Sequence, residues 1–192
     1  MPLVVRTDSI SSQPWRNGGG RTRELLAWPS ADDWALRISV ADIEADGPFS
    51  AFPGVERWFA VIEGAGVVLR FGDDERIVTP DDSPLRFDGA TAPDCRLIDG
   101  PTRDLNLMLH GATGAMERVV SGQPWSPAAQ QGGLFAAVAG RWTCGDGSGG
   151  EVAARTLVWF ERLPAESVAF QPFDVAAAGP LGWWLSFTPQ RR

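Results

Sequence analysis

The sequence predicts an all-β protein made of two barrel-like halves. Glycine (22) and proline (15) are abundant, and Val, Phe and Trp are frequent among the apolar residues, which favours short strands and turns over long helices. Residues 34–41 alternate cleanly: Trp34, Leu36, Ile38 and Val40 share one face, and Ala35, Arg37, Ser39 and Ala41 the other. Two apolar runs, Trp58–Ile62 and Val67–Phe71, flank the turn Glu63-Gly64-Ala65-Gly66, the pattern of a β-hairpin.

The elements follow in order. Residues 3–10 read as an opening strand. Residues 14–26 hold Asn17, three consecutive glycines and Arg21, Arg23 and Glu24. Backbone amides of such a loop can approach an anion, and a plain strand connection fits equally. It is not a P-loop, because Gly-Lys-Ser/Thr is absent and no helical pattern follows. After the 34–41 strand, a turn rich in Pro and Gly (Pro48, Pro53, Gly54) leads into the hairpin. Residues 76–89, 95–98 and 105–109 complete the first set, with Asp104 and Asn106 on the face opposite Leu105 and Leu107. From about 116 the texture repeats weakly, with apolar strands at 134–138, 156–160 and 183–187. The expected division is 1–115 and 116–192, the second half degenerate and packed on the first as one unit.

Composition excludes several functions. At 44% hydrophobic residues the chain has ample material for a core, and no segment carries the signature of disorder. No apolar run approaches the ~20 residues of a membrane span, and no basic-then-apolar leader opens the sequence. The expectation is a soluble, cytoplasmic protein. A net charge of −7 argues against nucleic-acid and anionic-membrane partners. Every basic residue is arginine. Cys95 and Cys144 fit no metal or redox spacing and read as buried thiols, with pairing between them left open.

The run Phe59-Ala60-Val61-Ile62-Glu63-Gly64-Ala65-Gly66 resembles the first motif of a cupin barrel, in which metal ligands precede such a turn. Counting back from Gly64, Arg57 occupies the place of the metal-binding glutamate, and Ser50 and Phe52 occupy the two histidine places. Pro84–Gly89 is similar to the second cupin motif, with Ala92 where the remaining histidine would stand. Four blocks make the likeness specific: 14–25, 34–41, 46–57 and 104–108. Together they resemble the HutD/Ves family of cupin-like proteins over roughly the first 110 residues. The resemblance implies a bicupin of two jelly-roll-like halves. It implies, more loosely, moderation of histidine degradation by sensing an intermediate of the formylglutamate, formiminoglutamate or urocanate type.

Residue chemistry narrows the choices. A cupin metal centre needs several histidines, and even the reduced facial triad needs two and a carboxylate. This chain has one histidine, His110, which ends an apolar strand. No metal and no cofactor is therefore expected. A buried Arg57 needs an acceptor, and a bidentate carboxylate matches its geometry best. Asp104 or Glu24 can supply that carboxylate, and so can a ligand. Arg37, Ser39, Asp104 and Asn106 can face the same lumen. Asn17, Arg23 and Glu24 join the candidates, with Trp15, Phe49 and Phe52 as the apolar wall. The predicted partner is a small carboxylate or amino-acid derivative, and a homodimer is left open. A cofactor-independent enzyme using Arg57 with Asp104 or Glu24, or a ligand-free interaction protein, are the rivals.

Overall fold

Turn residues cut the chain into short extended segments. The structure is a computed structural model and describes residues 1–174, 176 and 179–190. Its strands begin with β1 (Leu3–Arg6), β2 (Gln13–Pro14), β3 (Gly20–Pro29), β4 (Trp34–Ile43), β5 (Gly47–Pro48) and β6 (Val55–Glu63). Next come β7 (Val67–Phe71), β8 (Asp74–Val78), β9 (Leu85–Asp88), β10 (Asp94–Leu97), β11 (Thr102–His110) and β12 (Ala112–Arg118). The last are β13 (Gln131–Ala136), β14 (Gly140–Cys144), β15 (Gly149–Val152), β16 (Thr156–Phe160), β17 (Val168–Pro172) and β18 (Gly182–Pro189). Among the described residues no helix is long and apolar enough to cross a membrane.

Residues 10–112 form one unit. Its larger sheet has the order β2-β3-β4-β11-β6-β9 and its smaller sheet the order β5-β10-β7-β8. The inner faces supply one core: Ile43, Phe59 and Val61 from the first sheet, and Val67, Leu69, Val78 and Cys95 from the second. Alternation puts Leu36, Ile38, Val40, Leu105 and Leu107 on the opposite face of the larger sheet, all fully buried. The 34–41 strand and the 58–71 hairpin lie where the sequence places them, as β4 and β6–β7.

The second unit comprises Met1–Ser9 and 113–192. Its sheets have the orders β1-β16-β13-β18-β12 and β15-β14-β17. Trp125, Leu134, Trp142, Phe160, Phe170 and Trp184 lie in its core, where Trp125 stacks on Trp184 with ring centroids 4.8 Å apart. The opening strand, expected with the first half, belongs here instead. β1 pairs antiparallel with β16, Leu3 opposite Trp159. All five residues of β16 are buried, so both edges of that strand need ladder partners; β13 serves one and β1 the other. Gly133 has a packing reason: a Cβ there would meet the Val158 carbonyl at 2.1 Å. Cys95 and Cys144 are buried free thiols, one in each unit.

Candidate functional site

Strand register builds the site. Residues directly opposite in an antiparallel ladder project to the same face. One row across the larger sheet of the first unit runs Ala27, Arg37, Met108, Arg57, Phe87. The next runs Glu24, Ser39, Asn106, Phe59, Leu85, and the third Thr22, Ala41, Asp104, Val61. Phe59 and Val61 are core residues of the sandwich, so Arg37, Ser39, Arg57, Asp104 and Asn106 all face its interior. The sequence-predicted lumen set comes together.

Arg57 is its centre. Only 6% of the residue is exposed. Its guanidinium carbon lies 5.1 Å from the Phe87 ring centroid, 5.3 Å from Phe49 and 5.7 Å from Phe52, an aromatic cage of the kind that holds cations. Nη2 donates to Asn106 Oδ1 at 2.8 Å. Nε is buried and has no hydrogen-bond partner among the described residues. Asn106 turns its amide the other way to donate from Nδ2 to Asp104 Oδ2. The chain is therefore guanidinium, amide, carboxyl, with Asp104 1% exposed.

Electrostatics set the protonation states. Burial pushes the Asp104 carboxyl up to about 8, against the opposing pull of Arg57 and of the Asn106 hydrogen bond. Burial pulls Arg57 down to about 10, with Asp104 opposing that fall and Arg37 adding to it. Near neutral pH, then, Arg57 is a cation whose nearest buried acid is mostly uncharged. Burial, with help from Asp104 and Asp46, pushes the neighbouring Cys95 thiol up to about 12, so it carries no charge of its own in that range.

The remaining candidates divide. Glu24 does not reach Arg57; it accepts from Arg37 Nε at 2.7 Å, a half-buried pair beside the cage. Ser39 is buried at 3% exposure. Trp15 packs edge-on against Phe49 and donates from Nε1 to Thr22 Oγ1 at 2.7 Å. Arg23 is a correction: it lies on the opposite face of the sheet, where Nη1 meets Asp42 Oδ2 at 2.6 Å. Burial alone would raise Asp42, but hydrogen bonds from Arg23 and Arg103 outweigh it and hold this carboxyl below the usual carboxylate range. Asn17 is exposed and caps its own loop, Oδ1 accepting from the Gly19 amide at 3.0 Å, so it does not enter the lumen. Phe87 and Met108 were not singled out in the sequence. Met108 continues the Asp104, Asn106 alternation and was open to the same reasoning; Phe87 becomes visible only through the pairing of β9 with β6.

At the cupin ligand positions stand Arg57, Ser50, Phe52 and Ala92, of which Ser50 and Ala92 are exposed. The second unit carries an open groove of about 230 Å³ lined by Glu117, Gln123, Trp125 and Trp184 among others. None of the Arg57 constellation lies in it.

The HutD family model matches residues 7–176. The chain belongs to the HutD family. A structure of HutD from Pseudomonas fluorescens SBW25 (formate condition) superimposes over the whole of both chains, with a TM-score of 0.84 and 27% identity. Protein Ves of Citrobacter koseri is 33% identical over 134 residues, 69% of this chain and 70% of Ves. An uncharacterized 21.2 kDa protein encoded in the hutC 3′ region of Pseudomonas putida is 36% identical over 108 residues. That match spans 55% of this chain and only 56% of the relative. The HutD match and the two-sheet unit of residues 10–112 together give an all-β, cupin-like fold.

Proposed function

We propose that this HutD-family chain is a metal-free, cytoplasmic bicupin with a degenerate second half, and that its first lumen binds a small carboxylate metabolite. The observation that carries the reading is Arg57: buried and caged by three phenylalanines, with Nε lacking a hydrogen-bond partner among the described residues and Nη2 bonded to a neutral amide. An uncompensated buried cation is unfavourable by several kcal/mol, and an anionic guest relieves it. The Arg37–Glu24 pair, Ser39, Trp15, Phe49 and Phe52 supply further polar and apolar contacts for an amino-acid-derived acid. Formylglutamate, formiminoglutamate and urocanate are the fitting class. The hutC-region location of the Pseudomonas putida relative supports a role in regulating histidine utilisation. The acidic charge balance supports a protein with no nucleic-acid or membrane partner.

Thermal unfolding with formate, formylglutamate and urocanate tests this. A saturable rise in Tm is expected, since a ligand that binds only the folded state stabilises it by mass action. Arg57→Met should remove the rise; because it also leaves the buried Asn106 Oδ1 without its donor, a lower starting Tm is expected, and the shift is read against the variant's own ligand-free transition. A variant that responds like the parent, or a parent that responds to no carboxylate, sinks the reading. A second reading draws on Asp104: a buried acid held near 8 beside a cation suits acid–base catalysis. Turnover of the same compounds by the pure protein would favour it.

A further inference from the structure

The inference here rests on the lumen being an anion site, and concerns how that site is controlled. Asp104 and Asn106 project into the lumen from β11, and Arg57 stands on β6 opposite Met108, one lumen position beyond Asn106. One amide serves both ends, accepting from Arg57 and donating to Asp104. The geometry points to an internal competitor: Asp104 and the ligand's carboxylate contend for a single guanidinium, so the anion binds while Asp104 holds its proton and leaves as that proton is lost to solvent.

The charges around Asp104 support the competition. Arg57 on β6 is the cation that acts on it, and Asp42 on β4, the next residue along from Ala41 opposite Asp104, opposes its ionisation. Cys95 on β10 faces it from the smaller sheet as an uncharged thiol. β3 presents Thr22, which does not titrate, in the same row and Glu24 in the next, where Glu24 is paired at 2.7 Å with Arg37 of β4, the second cation that acts on Arg57. With Asp104 neutral, the cage holds a lone positive charge and accepts an anion. With Asp104 ionised, the cage already contains its counter-charge through the Asn106 bridge. A second carboxylate then places two anions on one cation beside side chains that are almost wholly buried, where screening is weak. The switch point near 8 puts the change within reach of ordinary buffers.

Calorimetric titration of the full chain with formate and glutarate, from about pH 6 to about pH 9 at fixed ionic strength, tests the coupling. Both anions stay ionised over that range. The parent should bind with a constant Kd at the acid end and weaken by about tenfold per pH unit beyond the Asp104 transition. At about pH 9 binding should take up about one proton, seen as a difference in heat between buffers of unlike ionisation enthalpy, and at about pH 6 none. Asp104→Asn should bind with the same Kd throughout and take up no proton. Should the variant fold poorly, proton uptake by the parent decides alone. Binding without proton uptake at the alkaline end, or a variant that weakens in parallel with the parent, overturns the coupling and leaves the site intact. Absence of anion binding at every pH removes the site and the coupling together.

Discussion

At the scale of the residue, burial ties the protonation of Asp104 to the stability of the fold. Its carboxyl is 1% exposed and sits near 8, whereas an unfolded aspartate titrates near ~3.9. Because the folded value is the higher one, the native state holds the proton more tightly. The stability this group contributes is complete below about pH 4, declines as pH rises, and is gone above about pH 8. The slope in between is about 1.4 kcal/mol per pH unit for one group. Asp104→Asn removes the titration and keeps a polar side chain of the same shape beside Asn106. Urea unfolding from about pH 5 upward should therefore show the variant gaining on the parent until about pH 8, with a constant difference beyond. A difference that stays the same from pH 5 to pH 8 would mean that Asp104 is ionised in the folded protein.

At the scale of elements, the cage depends on how one loop is pinned. The Phe52 amide donates to the Gly89 carbonyl at 2.6 Å, and the Gly89 amide donates to the Val55 carbonyl at 2.7 Å. A Cβ on Gly89 would lie 2.7 Å from both the Phe52 and the Val55 carbonyl oxygens, so the segment carrying Phe52 would have to lift away. Gly89→Ala is expected to lower stability by roughly 1–3 kcal/mol and to weaken carboxylate binding, read as a smaller ligand-induced Tm shift. An unchanged shift would show that Phe52 does not contribute to the site. The same elements show what local pattern can and cannot reveal. β4 was legible because one face is apolar and the other holds Arg37 and Ser39, and Arg57 was found by counting back from the Gly64 turn. Taking Arg23 and Glu24 together as lumen residues ignored the strand itself, since adjacent residues face opposite ways. The partner of β1 was invisible, because its pairing with β16 spans about 150 residues and leaves no local periodicity. Phe87 lay in a strand of four residues whose face is fixed only by its partner.

On the scale of the whole molecule, a buried cation, Arg57, sits inside an acidic protein, and the proposed ligand has to reach it. Seventeen basic residues against twenty-four acidic ones leave a net charge of −7, and several arginines are spent in pairs such as Arg21–Glu44, Arg70–Asp94 and Arg141–Glu151. A carboxylate arriving from solvent meets the repulsive field of the whole chain before it meets Arg57. Long-range repulsion is screened by salt, the Debye length falling from ~30 Å at 0.01 M to ~8 Å at 0.15 M. The contact inside the cage is buried and is screened far less. Salt should therefore speed the association of formate over that range, by roughly two-fold for a single charge and by more for glutarate, with little change in dissociation rate. Stopped-flow measurement of tryptophan fluorescence provides the readout, since Trp15 packs against Phe49 of the cage. Association that slows with added salt would mean that the local field at the lumen mouth is positive enough to overcome the net charge, and the anion would then be steered rather than repelled on its way in.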